Sequence, residues 1–190
     1  ITFTCILKSC GGIGAIGKGK QIHNQIVTGC LLNKDVLLGT ALVDMYAKCG
    51  ALTRAQQMLD ELPLQHVVSW NALIAGYAQQ GQCHEALQCF ERMQSESLYP
   101  DIVTFICILK ACGSAGAIDK GNQIYNEVVL QGLLEKDIAI GNVVVDMYAK
   151  CSVLAKAQEV LEELPVRDAI SWNSLIGGYA EQGKGSKVLD

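Results

Sequence analysis

Proline is scarce, with 3 in 190 residues, which leaves room for long helices that nothing interrupts. No stretch approaches the roughly 18 consecutive apolar residues of a membrane-spanning helix, so no membrane partner is expected. A positive excess is missing too. The formal net charge is −4, without the basic footprint of a strong nucleic-acid binder. Histidine occurs 3 times, as His23, His66 and His84. His84-Glu85 lacks the second histidine of a His-Glu-x-x-His zinc helix, and a metal needs three or four converging ligands. Neither metal nor cofactor is expected. No Ser-His-Asp or Cys-His pattern has local support, so the chain is not expected to be an enzyme. The 9 cysteines contain no Cys-x-x-Cys spacing, and an odd number fits a reducing compartment better than a bridged framework. Cys5, Cys10 and Cys49 recur as Cys107, Cys112 and Cys151 inside apolar helical patterns, where they are expected to pack as small hydrophobes.

What is present is self-similarity. Asp-Met-Tyr-Ala-Lys-Cys occurs at 44–49 and again at 146–151. Shifting residues 1–88 onto 103–190 needs no gap and leaves more than half of the pairs identical. Such repetition decides the architecture before any other motif is weighed. Matching ends divides the chain into sub-repeats at 1–35, 36–66, 67–101, 102–137 and 138–168, with a truncated one at 169–190. Ile1 opens in mid-pattern and Asp190 closes in mid-helix, so a piece of a longer array is expected, with any targeting peptide outside it.

Each sub-repeat reads as two helices. Trp70, Leu73, Ile74 and Tyr77 share one helical face, and Ala86, Leu87, Phe90 and Met93 share another beyond Gly81. Tyr99-Pro100-Asp101 is expected to end that second helix. Leu38, Leu42, Met45 and Cys49, then Leu52, Ala55, Leu59 and Leu62, repeat the pattern up to Pro63, and Leu154 to Pro165 does so again. No alternating strand pattern appears. Helix pairs of this length cannot bury their apolar faces alone, so the expected fold is all-α, a right-handed solenoid of stacked helix-turn-helix repeats.

Gly12-Ile-Gly14-Ala-Ile-Gly17 satisfies the dinucleotide fingerprint G-x-G-x-x-G, but that motif must follow a strand. Here it follows a helix. In the second copy Gly12 becomes Ser114 and Gly17 becomes Asp119. A permissive helix-to-helix turn suffices.

Val-Val-Ser-Trp-Asn-Ala-Leu-Ile-Ala-Gly-Tyr (67–77), Glu-Ala-Leu (85–87) and Tyr-Pro-Asp (99–101) together resemble the pentatricopeptide repeat. The sub-repeat carrying Thr-Phe-x-x-Ile-Leu-Lys-x-Cys and the one carrying Val-Asp-Met-Tyr-Ala-Lys-Cys look like that family's L and S variants. The order L-S-P-L-S-P is similar to the PLS subclass of land-plant organelle proteins. The tetratricopeptide repeat, the other helix-pair family of this period, wants a Leu-Gly step that is absent here.

The resemblance implies single-stranded RNA as partner, with about one base read per repeat. It places readers at the fifth and last residues of each repeat: Thr4 with Asp35, Thr40 with His66, Asn71 with Asp101, Ile106 with Asp137, and Asn142 with Asp168. Asn173 is a fifth residue whose mate lies past the sequence. An apolar second residue would press on the base: Leu37, Val68, Val103, Ala139 and Ile170. Asn offers a donor and an acceptor to a base edge, and Thr either one. In the family's code the array would read, 5′ to 3′, weak G, purine, U, unspecified, U, pyrimidine. Ile106 cannot hydrogen-bond a base, and His66 departs from the usual Asp or Asn. Lys48 and Lys150, at matching places on first helices, are candidate phosphate contacts. The resemblance further implies a mitochondrial or chloroplast editing or processing factor and an editing accessory protein docked on L repeats; separately, uncapped ends with apolar faces make self-association an expectation. A blander reading stands beside it. Asp35, Asp101, Asp137 and Asp168 each precede a helix and can cap it, and the asparagines can be ordinary polar residues near turns.

Overall fold

The computed structural model describes residues 2–32 and 36–183, and these residues form eleven α-helices and no strand. Two compact units divide the chain at Pro100 and Asp101. The first holds α1 (Thr2–Gly12), α2 (Ile16–Thr28), α3 (Val36–Lys48), α4 (Leu52–Glu61), α5 (Val67–Gln79) and α6 (Cys83–Ser95). The second holds α7 (Ile102–Ala115), α8 (Ile118–Leu130), α9 (Ile138–Lys150), α10 (Leu154–Glu163) and α11 (Ala169–Glu181).

Within each unit the first helices of successive repeats lie side by side. α3 packs between α1 and α5, and α9 between α7 and α11, while α2, α4, α6, α8 and α10 fold back on their own first helices. Leu42, Met45, Trp70, Leu73 and Phe90 are sealed in the first core, and Phe105, Leu109, Val144 and Met147 in the second. The fold is an all-α helical-repeat solenoid, as the periodicity implied. No described helix is long and apolar enough to cross a membrane.

The glycine-rich stretch at 12–17 is a hairpin turn. α1 runs through Gly12, Gly14 takes φ 68°, and α2 starts at Ile16. Its counterpart Gly116 has φ 65°. The left-handed position is thus a glycine that both copies keep, as sterics require. Pro63 and Pro165 stop α4 and α10 as expected: Leu62 and Leu164 before them are extended, with ψ 132° and 134°.

Three details differ from the sequence reading. α6 ends at Ser95, well before Tyr99-Pro100, because Ser97 turns left-handed at φ 61° and the Leu98 and Ser97 N–H groups bond back to Met93 and Gln94. Leu87 is only half-buried, and Cys83 and Cys89 take the core side of α6. Cys5 lies exposed on α1, as does Cys30 beyond α2, whereas Cys10, Cys83, Cys89 and Cys112 are buried. Burial pushes the Cys89 thiol up to about 11, so it stays protonated and packs as a hydrophobe.

Candidate nucleic-acid interface

The five candidate clamp residues are all exposed, although all are apolar. Leu37 and Val68 in the first unit are 70% and 63% exposed, and Val103 and Ile170 in the second are 53% and 62% exposed; Ala139 is exposed as well. Each sits in the opening turn of a first helix, turned away from the core. Scattered exposed apolar residues need no explanation. The same exposure at the same place in successive repeats does, since packing gains nothing from it.

Three positions on, the fifth residues behave differently. Asn71 and Asn142 are only 6% exposed. Thr4, Thr40 and Ile106 are half-buried, and Asn173 is exposed. The asparagines are therefore tucked between neighbouring helices instead of standing open. Asn142 shows what holds one there: its Nδ2 donates to both carboxylate oxygens of Asp168, at 3.2 Å each. Its Oδ1 is buried without a hydrogen-bond partner, a state that costs about 1–3 kcal/mol when nothing answers it.

The last residues cap helices, as the blander reading had it. Asp101 Oδ1 accepts from the Thr104 N–H at 2.9 Å, and Asp137 Oδ1 from the Ala139 N–H at 2.7 Å. Asp168 Oδ1 accepts from the Ile170 and Ser171 N–H groups, both at 2.9 Å. Asp35 lies outside the described residues. Capping and orienting are not alternatives at Asp168, because one carboxylate does both. The Ser171 N–H holds the Asp168 carboxyl below the usual carboxylate range, with help from the Asn142 amide and the Ile170 N–H and against a smaller effect of burial. In the matching repeat of the first unit, Thr40 and His66 are not hydrogen-bonded to each other, and Ser69 closes the helix start through the His66 N–H and C=O at 3.2 and 2.7 Å.

Sequence reasoning missed the third member of these caps. Thr104, Ser69 and Ser171 are fully buried at the third position of their helices, and for Thr104 and Ser171 the spacing Asp-x-x-Thr or Asp-x-x-Ser before an apolar run was a legible signal. It also missed what engages the candidate phosphate lysines. Lys48 Nζ lies 2.8 Å from Asp44 Oδ2, and Lys150 Nζ lies 2.7 Å from Asp146 Oδ2.

Away from this face, His23 is buried on α2 with its Nδ1 2.8 Å from the Tyr46 hydroxyl. Burial, aided by the charge of Arg54 and opposed by Glu61, lowers its pKa. No group of three metal-ligating side chains occurs among the described residues.

Stacked helical hairpins with a recurring polar and apolar pattern define a helical-repeat protein. The profile described as the PPR repeat family matches residues 65–114, and that of the PPR repeat matches 170–190. A pentatricopeptide repeat-containing protein of Arabidopsis thaliana is 41% identical over 170 residues, covering 90% of this chain and 24% of that protein. A putative mitochondrial one from the same plant is 39% identical over 189 residues, covering 100% of this chain and 30% of its own length. A chloroplastic one is 35% identical, again over 189 residues, with the same coverage of 100% and 30%. The chain thus spans less than a third of the length of the curated relatives it matches. Among solved structures, the pentatricopeptide repeat protein PPR10 in complex with an 18-nt psaJ RNA element shares the fold, with TM-score 0.78 at 20% identity over 98% of this chain and 28% of that one. The repeats matched at 65–114 and 170–190 are pentatricopeptide repeats.

Proposed function

We propose that the chain is a sequence-reading array for single-stranded RNA, taking about one base per repeat, within a plant organellar factor for C-to-U editing or RNA processing. The observation that carries the reading is the Asn142–Asp168 pair beside exposed Ala139 and Ile170. The carboxylate takes up the amide nitrogen and leaves the oxygen, buried and without a partner, as the acceptor still to be answered. The imino N–H of uracil is the donor that suits it, and the exposed apolar side chains offer the base a face to lie on. Asn71, equally buried in the first unit, is the corresponding reader there. Lys48 and Lys150 meet phosphates, and no chemistry is assigned to the chain itself. PPR10 was solved with an RNA element, and relatives named as mitochondrial or chloroplastic support an organellar setting.

With a net charge of −4, binding is weak and its salt slope shallow, far short of ten neutralised phosphates. The test is a titration of the six-nucleotide RNA 5′-GAUAUC and its single-base variants. Asn71→Ala costs about 1–3 kcal/mol at one uridine only. Equal losses on every sequence would sink base reading.

A second reading has an observation of its own. Val27 on α2 and Val129 on α8 occupy the same repeat position, and both are about half exposed. These L-repeat helices are a surface for an accessory protein. Binding of RNA with no protein captured by the L repeats discards it.

A further inference from the structure

The face that carries the candidate readers of α3 and α9 also carries an acid. Thr40, Asp44 and Lys48 follow one another at intervals of four residues, as do Asn142, Asp146 and Lys150, and residues so spaced lie along one side of a helix. In each case the lysine reaches back to the aspartate, with Nζ–Oδ2 distances of 2.8 and 2.7 Å. Its stem is held over a glycine of the preceding repeat. A Cβ on Gly11 would stand 3.3 Å from Lys48 Cδ, and one on Gly113 would stand 3.5 Å from Lys150 Cδ. The lysines are about half exposed and the carboxylates about a quarter. The two copies agree in every one of these respects.

We infer that Asp44 and Asp146 are displaceable counter-ions, which occupy the phosphate-binding lysines in the free protein and lower the array's affinity for any RNA backbone. This rests on the RNA-reading proposal above. A phosphate arriving at Lys48 has to share or replace the Asp44 carboxylate and meets its negative charge at close range. Exposed pairs of this kind hold weakly, so the lysine is still available. What is lost is indiscriminate attraction to phosphate, which leaves a larger share of the binding to base contacts. If the aspartates instead served to position the lysines, removing them would weaken binding. The two roles therefore differ in sign.

The experiment measures the affinity of 5′-GAUAUC for the whole chain and four variants across a range of salt concentrations. Asp146→Asn is expected to tighten binding about two- to fivefold and to steepen the salt slope by about 0.7, the share of one phosphate on a single strand. Asp44→Asn/Asp146→Asn roughly compounds the gain. Asp119→Asn, on the exposed first turn of α8, removes the same charge from a carboxylate outside the two lysine pairs and leaves affinity nearly unchanged. Lys48→Met/Lys150→Met weakens binding. The inference is overturned if Asp146→Asn weakens binding, if it matches Asp119→Asn, or if the lysine variant binds as well as the original. In those cases RNA reading stands by itself. If the original chain does not bind the hexamer saturably, both fall together.

Discussion

The sub-repeats 36–66 and 138–168, one in each unit, share Val-Asp-Met-Tyr-Ala-Lys-Cys and differ in how they use it. In the second, Asn142 and Asp168 form a bonded pair 26 residues apart in sequence. In the first, Thr40 and His66 occupy those places without a bond between them. On the opposite side Tyr46 shares a hydrogen bond with His23, whereas its counterpart Tyr148 donates to Asn122 Oδ1 at 2.8 Å and meets Tyr125 edge-on. One scaffold thus holds different polar pairs at the same coordinates. The core residues fix the backbone, and the variable positions lie where the backbone sets distance but not chemistry.

The comparison can be broken by transplanting. Thr40→Asn with His66→Asp copies the second unit's pair into the first. It is expected to turn the repeat's choice from purine to uridine by about tenfold or more, the scale of one good base contact, as read from competing hexamers. Asp168→Ala removes a cap and releases Asn142 in the same stroke. It lowers the unfolding temperature and blurs discrimination at one base, while His66→Ala does neither to the same extent. Because the Asp168 carboxyl is held below its usual range, its contribution is present above the ordinary carboxylate pKa and lost as acid protonates it.

Smaller effects sharpen the contrast. Ser152 sits at φ 64° where its counterpart Gly50 has φ 76°. Ser152→Gly relieves the left-handed strain and stabilises by about 1 kcal/mol, and Gly50→Ser costs about as much; chemical denaturation of each variant measures both. The least of the effects is His23. Its folded-state pKa is lowered, so the unfolded chain takes up protons first. Its share of stability is complete above the ordinary imidazole value of about 6.5 and falls away as pH drops below it. His23→Tyr, which copies Tyr125, removes that slope from denaturation curves recorded between about pH 7 and pH 5.5.

Much of this was legible in the residues. The apolar period marked the faces of Trp70, Leu73 and Ile74 and of Leu42 and Met45, because helix geometry repeats over short spacings. Pro63 and Pro165 marked two helix ends for a local steric reason. The end of α6 was misplaced because Ser97, with no glycine to advertise it, supplies the left-handed turn. The pairs Asp44–Lys48 and Asp146–Lys150 obey an i,i+4 rule that the residues alone display. Cys5 and Cys107 look alike in sequence but differ in exposure, since a thiol's burial depends on which helix comes to lie over it.

The sequence by itself determined the repeat order, the helix pairs, the hairpin turns and the acids that open helices, all consequences of contacts within a few residues. Only the tertiary structure decided that Asn142 is tucked in while Asn173 is exposed, and that one Asp168 carboxylate caps α11 and grips an amide on α9. Those outcomes depend on distances between helices far apart in the chain. Packing sets such distances, and no local pattern encodes them.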